Sequence, residues 1–129
     1  MSRSAPATAD QVKDAVAALK DKGVKATGAS VDIMDGAALK GWIASAGEEL
    51  GGIDILVSNA GAMAQGGDPA SWEQNFKLDV LGMVNAFDAA KPFLEKAAAK
   101  NGDAAFVIIS SVRRRRATTP APTARSRRR

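Results

Sequence analysis

The stretch IDILVSNAG, residues 53–61, decides the fold. Its first five positions are apolar except for Asp54, so 53–57 is predicted as a strand buried on both faces. Ser58-Asn59-Ala60-Gly61 then turns the chain. On the N-terminal side, Gly51-Gly52 stops a helix with apolar positions Leu39, Trp42, Ile43, Ala46 and Leu50, and Asp35 stands where its N-cap belongs. Ahead of that helix, VKATGASV at 24–31 is predicted as another strand, closed by Asp32. Val12, Ala15, Val16 and Leu19 form an apolar stripe on a first helix from Asp10, with Gly23 as its C-cap. On the C-terminal side, a loop at 62–68 leads into a long helix, roughly 70–98. It is carried by Trp72, Phe76, Val80, Met83, Val84, Phe87 and Leu94. Pro92 is predicted to kink it, because proline gives the Asp88 carbonyl no donor. Asn101-Gly102 ends it, and 104–109 reads as a third buried strand closed by Ser110-Ser111. The order α-β-α-β-α-β, with helical connections, implies right-handed crossovers and a parallel sheet of about three strands in an α/β fold.

Composition narrows the chemistry. The 129 residues suit one domain, and 46% hydrophobic residues can form a core. Cys, His and Tyr are all absent. That excludes disulfides, thiolate nucleophiles, zinc and haem sites of the usual kind, and His-dependent triads. A tyrosine general acid is excluded as well. The N-terminal residues lack the apolar core of a signal peptide, and no apolar run approaches the ~20 residues of a membrane span. A soluble, cytoplasmic protein is expected.

The net charge of +4 hides two opposite parts. Residues 113–129 hold eight Arg and no acid; the preceding 112 residues hold ten Lys or Arg against fourteen Asp or Glu, a net of −4. A folded nucleic-acid-binding domain carries its basic residues across its own surface, and this body does not. Two domains follow: a folded body, 1–112, and an Arg-rich tail, 113–129, without apolar periodicity and expected to be disordered. Such a tail can bind nucleic acid or acidic partners non-specifically, which is the alternative function.

Ligands of open parallel sheets bind beyond the carboxyl ends of the strands. Here those ends carry Asp32, Ser58-Asn59 and Ser110-Ser111. Four segments in order give this clustering a family. IDILVSNAG at 53–61 resembles the fourth strand of the short-chain dehydrogenase/reductase family. VDIMD at 31–35 resembles the segment after its third strand, WEQNFKLDVLGMVNAF at 72–87 its long helix, and AFVIISSV at 105–112 its fifth strand. The resemblance covers about residues 10–112. It implies an incomplete Rossmann-like three-layer fold and NAD(P)-dependent chemistry on an alcohol/carbonyl pair, nearest to a 3-oxoacyl reductase. The implied cofactor-binding residues are Asp32, which can accept from an adenine amino group, and Asn59, Ala60 and Gly61. Asn59 can tie strand ends together. Gly61 either lets backbone approach a ribose or supplies positive φ for a turn. The implied catalytic residues are Ser111, polarising a substrate carbonyl, and Asp79, which stands where the family has an Asn that holds a relay water.

The departures from the family are chemical. The Gly-rich phosphate loop is absent, so pyrophosphate lacks its usual helix N-terminus. YxxxK is absent, so no phenol protonates a nascent alkoxide. NAD or NADP is the implied cofactor, with binding by this chain in doubt, and inactivity of the chain alone is expected. One back-translation of residues 121–129, read from its third base, gives Ala-Tyr-Gly-Pro-Ile-Lys-Ala-Ala, a YxxxK motif. A frameshifted fragment of a reductase gene is therefore expected. An unpaired sheet edge makes self-association a further expectation.

Overall fold

The computed structural model describes residues 8–61 and 67–110. Helix α1, Ala9–Lys20, starts at a capping box: the Gln11 backbone N–H donates to Thr8 Oγ1 (3.3 Å), and the Thr8 N–H donates to Gln11 Oε1 (2.9 Å). Helix α2, Gly36–Leu50, starts at Asp35, whose Oδ1 accepts from the N–H groups of Ala37 and Ala38. It ends at Gly51, which takes φ +87°, a conformation closed to most L-residues. Strand β1, Ile55–Ser58, follows. Helix α3, Pro69–Asn75, is capped by Asp68 and has Pro at its first position, where the missing N–H costs nothing. It continues through a π-helical segment, Phe76–Leu81, into α4, Gly82–Asn101. Strand β2, Ala105–Ile108, is the last described element.

The core lies between α2 and α4. Leu39, Ile43, Ala90 and Leu94 are its buried centre, and Ala90 has no exposed surface. The two helices approach closely at Gly47, where a Cβ would stand 2.7 Å from the Phe93 ring carbons Cε1 and Cζ. β1 and β2 pair in parallel, Ile55 opposite Ala105 through Ser58 opposite Ile108. Ladder bonds extend the pairing at both ends: Ala105 N–H to the Asp54 carbonyl and Ile109 N–H to the Ser58 carbonyl, each 2.9 Å. Leu56 packs against the core, and the Phe106 ring lies 5.0 Å from that of Phe87 on α4. Asn101 Nδ2 donates to Asp54 Oδ1 (2.7 Å) and ties the end of α4 to the start of β1.

The α/β reading and the parallel pairing hold, and two expectations are corrected. First, the strands at 53–57 and 104–109 are covered on one face only. Among the described residues Ile55 is 64% exposed and Val57 54%, while Ile53 and Leu56 pack on the α2/α4 core. Second, residues 24–31 join no ladder: the described sheet is β1 and β2 alone. The segment nevertheless alternates like a strand. Lys25 Nζ donates to the Glu49 carbonyl, Thr27 Oγ1 donates to Glu49 Oε2 (2.8 Å), and Val31 packs on the α2/α4 core. Gly28 faces the other way, with Val12 and Val16 of α1 at 2.9 and 3.0 Å from where its Cβ would be. The segment thus has helices on both faces and, among the described residues, no strand beside it. Helix α4 includes Pro92 as an internal residue, with Pro92 and Asp88 both exposed, so water can serve the freed carbonyl. Upstream, the π-helical segment departs from α geometry.

Candidate functional site

The carboxyl ends of β1 and β2 meet through the bond from Ile109 N–H to the Ser58 carbonyl, which brings Ser110 beside the turn at Asn59. Gly61, at the end of that turn, faces the π-helical segment. A Cβ there would find one described atom within 4 Å, Asp79 Oδ1 at 3.7 Å. So the structure brings together two of the residues singled out from sequence, Gly61 and Asp79. Gly61 does not have positive φ, in contrast to Gly23, Gly51, Gly52 and Gly102. Of its two readings, positive φ for a turn is not observed.

Asn59 is exposed, and its side chain makes no hydrogen bond to the described residues. The tie between strand ends that was expected of it is made by backbone instead. Ala60 is exposed as well. Ser111 lies outside the described residues.

Asp32 sits at the end of the 24–31 segment, exposed, and has a local role. Its Oδ1 accepts from the Met34 N–H (2.9 Å), and its carbonyl accepts from the Asp35 N–H (3.0 Å). These bonds shape the turn into α2. Two glycines hold this turn against the long helix, and sequence reasoning missed both. At Gly82 a Cβ would stand 2.5 Å from Ile33 Cγ2; at Gly36 it would stand 2.8 Å from Asn85 Nδ2. Gly82 follows directly on the π-helical segment that carries Asp79. For Gly82 the available signal was a single glycine within helical sequence, which costs ~1 kcal/mol against Ala unless packing requires it; Gly36 opens α2 and carried no such signal. The π-helical segment left no such signal. Its wider turn is a recurrent feature of functional sites.

The electrostatics of this end are acidic. Hydrogen bonds from the Ser71 hydroxyl and backbone hold the Asp68 carboxyl below its ordinary range. The Lys77 ammonium, 2.7 Å from Glu73, does the same for that carboxyl. Asp35 and Asp68 already occupy the first N–H groups of α2 and α3. A dinucleotide tests the residues unevenly. The exposed Asp32 carboxylate has the acceptor chemistry for an adenine amino group. The two helix starts do not fit a pyrophosphate, because each is filled by a carboxylate.

Among the described residues no helix is long and apolar enough to cross a membrane. Comparison with known proteins supplies the rest. Isoepoxydon dehydrogenase of Penicillium expansum is 39% identical over 72 residues, covering 56% of this chain and 28% of that protein. An uncharacterised NAD-dependent oxidoreductase of Mycobacterium tuberculosis is 31% identical over 110 residues, covering 82% of this chain and 39% of its own length. Among solved structures, a 7α-hydroxysteroid dehydrogenase complexed with NADH and 7-oxo glycochenodeoxycholic acid superimposes with a TM-score of 0.68 at 26% identity, over 80% of this chain and 40% of that one. An NADH-dependent reductase of alginate metabolism reaches 0.69 at 23% identity and shares the fold. The chain spans less than half the length of these relatives. The short chain dehydrogenase family model matches residues 4–121, nearly the whole chain, and the chain belongs to that family.

Proposed function

We propose that residues 1–112 form the middle of a nicotinamide-dependent oxidoreductase acting on a small alcohol/carbonyl pair, and that the chain alone is not catalytic. The observation that carries this reading is the convergence of Gly61 and Asp79 beyond β1, with Asp32 fixed nearby through Gly82 and Gly36. In this reading Asp32 receives the adenine amino group. The backbone at Ala60 and Gly61 lies against a ribose, and Asn59 is available to donate or accept there. Asp79 holds a water on the substrate side, and Ser111 orients the carbonyl. A bound nicotinamide would supply or accept the hydride. Tyr is absent from the sequence, so the proton for the alkoxide has no phenol source. NAD and NADP remain equal choices. The Arg-rich 113–129 segment is a separate region of charge.

The test is a binding series on the full chain, followed by amide chemical shifts. Adenosine is expected to shift Asp32 and 59–61 with weak affinity, and Asp32→Ala to abolish those shifts. ADP is expected to bind no tighter than adenosine, because the helix starts are filled by Asp35 and Asp68. A gain of more than about tenfold from the added phosphates, worth about 1.4 kcal/mol, contradicts the reading. Turnover of NADH or NADPH with any ketone would overturn the claim of inactivity.

A further inference from the structure

The turn before α2, the π-helical segment and the start of α4 meet at one point, the place a Cβ would take at Gly82. The Ile33 Cγ2 methyl lies 2.5 Å from it, and the carbonyls of Ile33 and Lys77 each lie 3.7 Å from it. Gly82 also donates its backbone N–H to the Lys77 carbonyl, five residues back. That bond closes the π-helical segment, because an α-helical bond from the same N–H would run to Leu78. So the residue that Ile33 rests on is the one whose N–H separates the two kinds of turn. Phe76–Leu81 include no Gly or Pro, so nothing local bars an α turn there. The π turn is the rare alternative, and it needs support from outside the segment.

Ile33 is built to give that support. It packs on the α2/α4 core, its turn is held by the bond from Met34 N–H to Asp32 Oδ1, and Gly36 seats the same turn against Asn85. Its branch at Cβ leaves few rotamers, so the Cγ2 methyl stays where the turn puts it. From this geometry we infer that Ile33 is a positioning residue: its Cγ2 methyl, seated on Gly82, holds the π register and so keeps Asp79 beside Gly61. A bond from Gly82 to Leu78 in place of Lys77 takes one residue out of the turn. It rotates the segment that carries Asp79 relative to α4, and the approach of Asp79 Oδ1 to Gly61 is lost. The inference deepens the proposed function, because the use of Asp79 rests on that reading; the register itself does not.

The experiment uses the full chain, labelled with ¹³C and ¹⁵N and without any ligand. One readout is the scalar coupling that passes through a hydrogen bond from an amide nitrogen to the accepting carbonyl carbon. The other is the NOE between the Gly61 Hα and Asp79 Hβ protons. In the native chain Gly82 N is expected to couple to the Lys77 carbonyl. Ile33→Val keeps a methyl at the Cγ2 position and is expected to keep both the coupling and the NOE. Ile33→Leu keeps the apolar volume but moves the branch off Cβ. It is expected to move the coupling to the Leu78 carbonyl and to lose the NOE. Ile33→Met, also unbranched at Cβ and more adaptable, repeats the test. A role confined to filling the core predicts the reverse order, since Leu conserves volume and Val leaves a gap. Retention of the Lys77 coupling in the Leu and Met variants would overturn the inference. So would its loss in Ile33→Val, or a coupling to Leu78 in the native chain. No readout needs cofactor binding or turnover, so failure here is distinct from failure of the proposed function.

Discussion

The α2/α4 layer and the strand side of this chain have similar apolar composition and opposite fates. Five of the six buried apolar residues, Leu39, Ile43, Ala90, Leu94 and Ala97, lie on α2 or α4; Ala26 is the sixth. Ile55, Val57, Val107, Ile108 and Ile109 on the strand side are each 40% exposed or more. Helices satisfy their own backbone and need one partner to bury a stripe, and α2 and α4 are that pair. A strand needs neighbours in its plane and cover on each face. β1 has one neighbour, and residues 24–31 have none among the described residues. The difference teaches that the helical half of the site, with Asp79, Gly82 and Asn85, is positioned by contacts within the chain. The strand half, with Asp32 and 59–61, depends on how well the turn at 32–36 is pinned to it.

The largest effect that can break this contrast is a cavity in the core. Ile43→Ala is expected to cost ~2–5 kcal/mol in urea unfolding followed by far-UV circular dichroism. Val57→Ala, on the bare face, is expected to stay within about 0.5 kcal/mol. Equal losses would mean that the sheet face is covered in solution. Next come the glycines. Gly82→Ala drives a methyl into Ile33, whose β-branched side chain has few alternative rotamers, and is expected to cost ~1–3 kcal/mol. Amide shifts around Asp32 are expected to report it more strongly than those in α1. If only the helix responds, the turn is not held there.

The sequence made the helices legible for a physical reason. Their apolar spacing, the caps at Asp35 and Gly102, and the stop at Gly51-Gly52 are local signals, and each appears in place. The strands were legible as extended segments but not as a sheet. The apolar run at 53–57 reports what a strand could bury, while its burial depends on cover that other parts of a fold provide. Residues 24–31 show the same limit: alternation is local, pairing is not. Within the site, Asp32 and the 59–61 turn were readable from their place at strand ends. The loss of the expected Asn59 tie, the π-helical segment and the packing roles of Gly36 and Gly82 arise from long-range contacts, which no spacing encodes.

Smaller effects sharpen the comparison at the helix starts. Asp35→Ala removes the acceptor of two N–H groups and is expected to cost about 1 kcal/mol. At Asp68 the folded-state pKa is depressed by its Ser71 hydrogen bonds. The sign follows from linkage. Its contribution is present above the unfolded-state pKa and is lost as pH falls through the lower, folded-state value. Acid titration of α3 amides is expected to show this fraying, and Asp68→Asn to weaken its pH dependence. Smallest of all, Glu73→Gln removes an exposed ion pair with Lys77 and is expected to change stability by less than about 0.5 kcal/mol.

Native-state amide hydrogen exchange on the full chain, without any partner, tests the central claim most directly. The account predicts the slowest exchange at Leu39–Gly47 and Ala90–Ala97, intermediate rates at 55–58 and 105–108, and near-unprotected rates at 24–31. Protection of 24–31 equal to that of the α2/α4 core would contradict it, because the segment would then have found strand partners of its own.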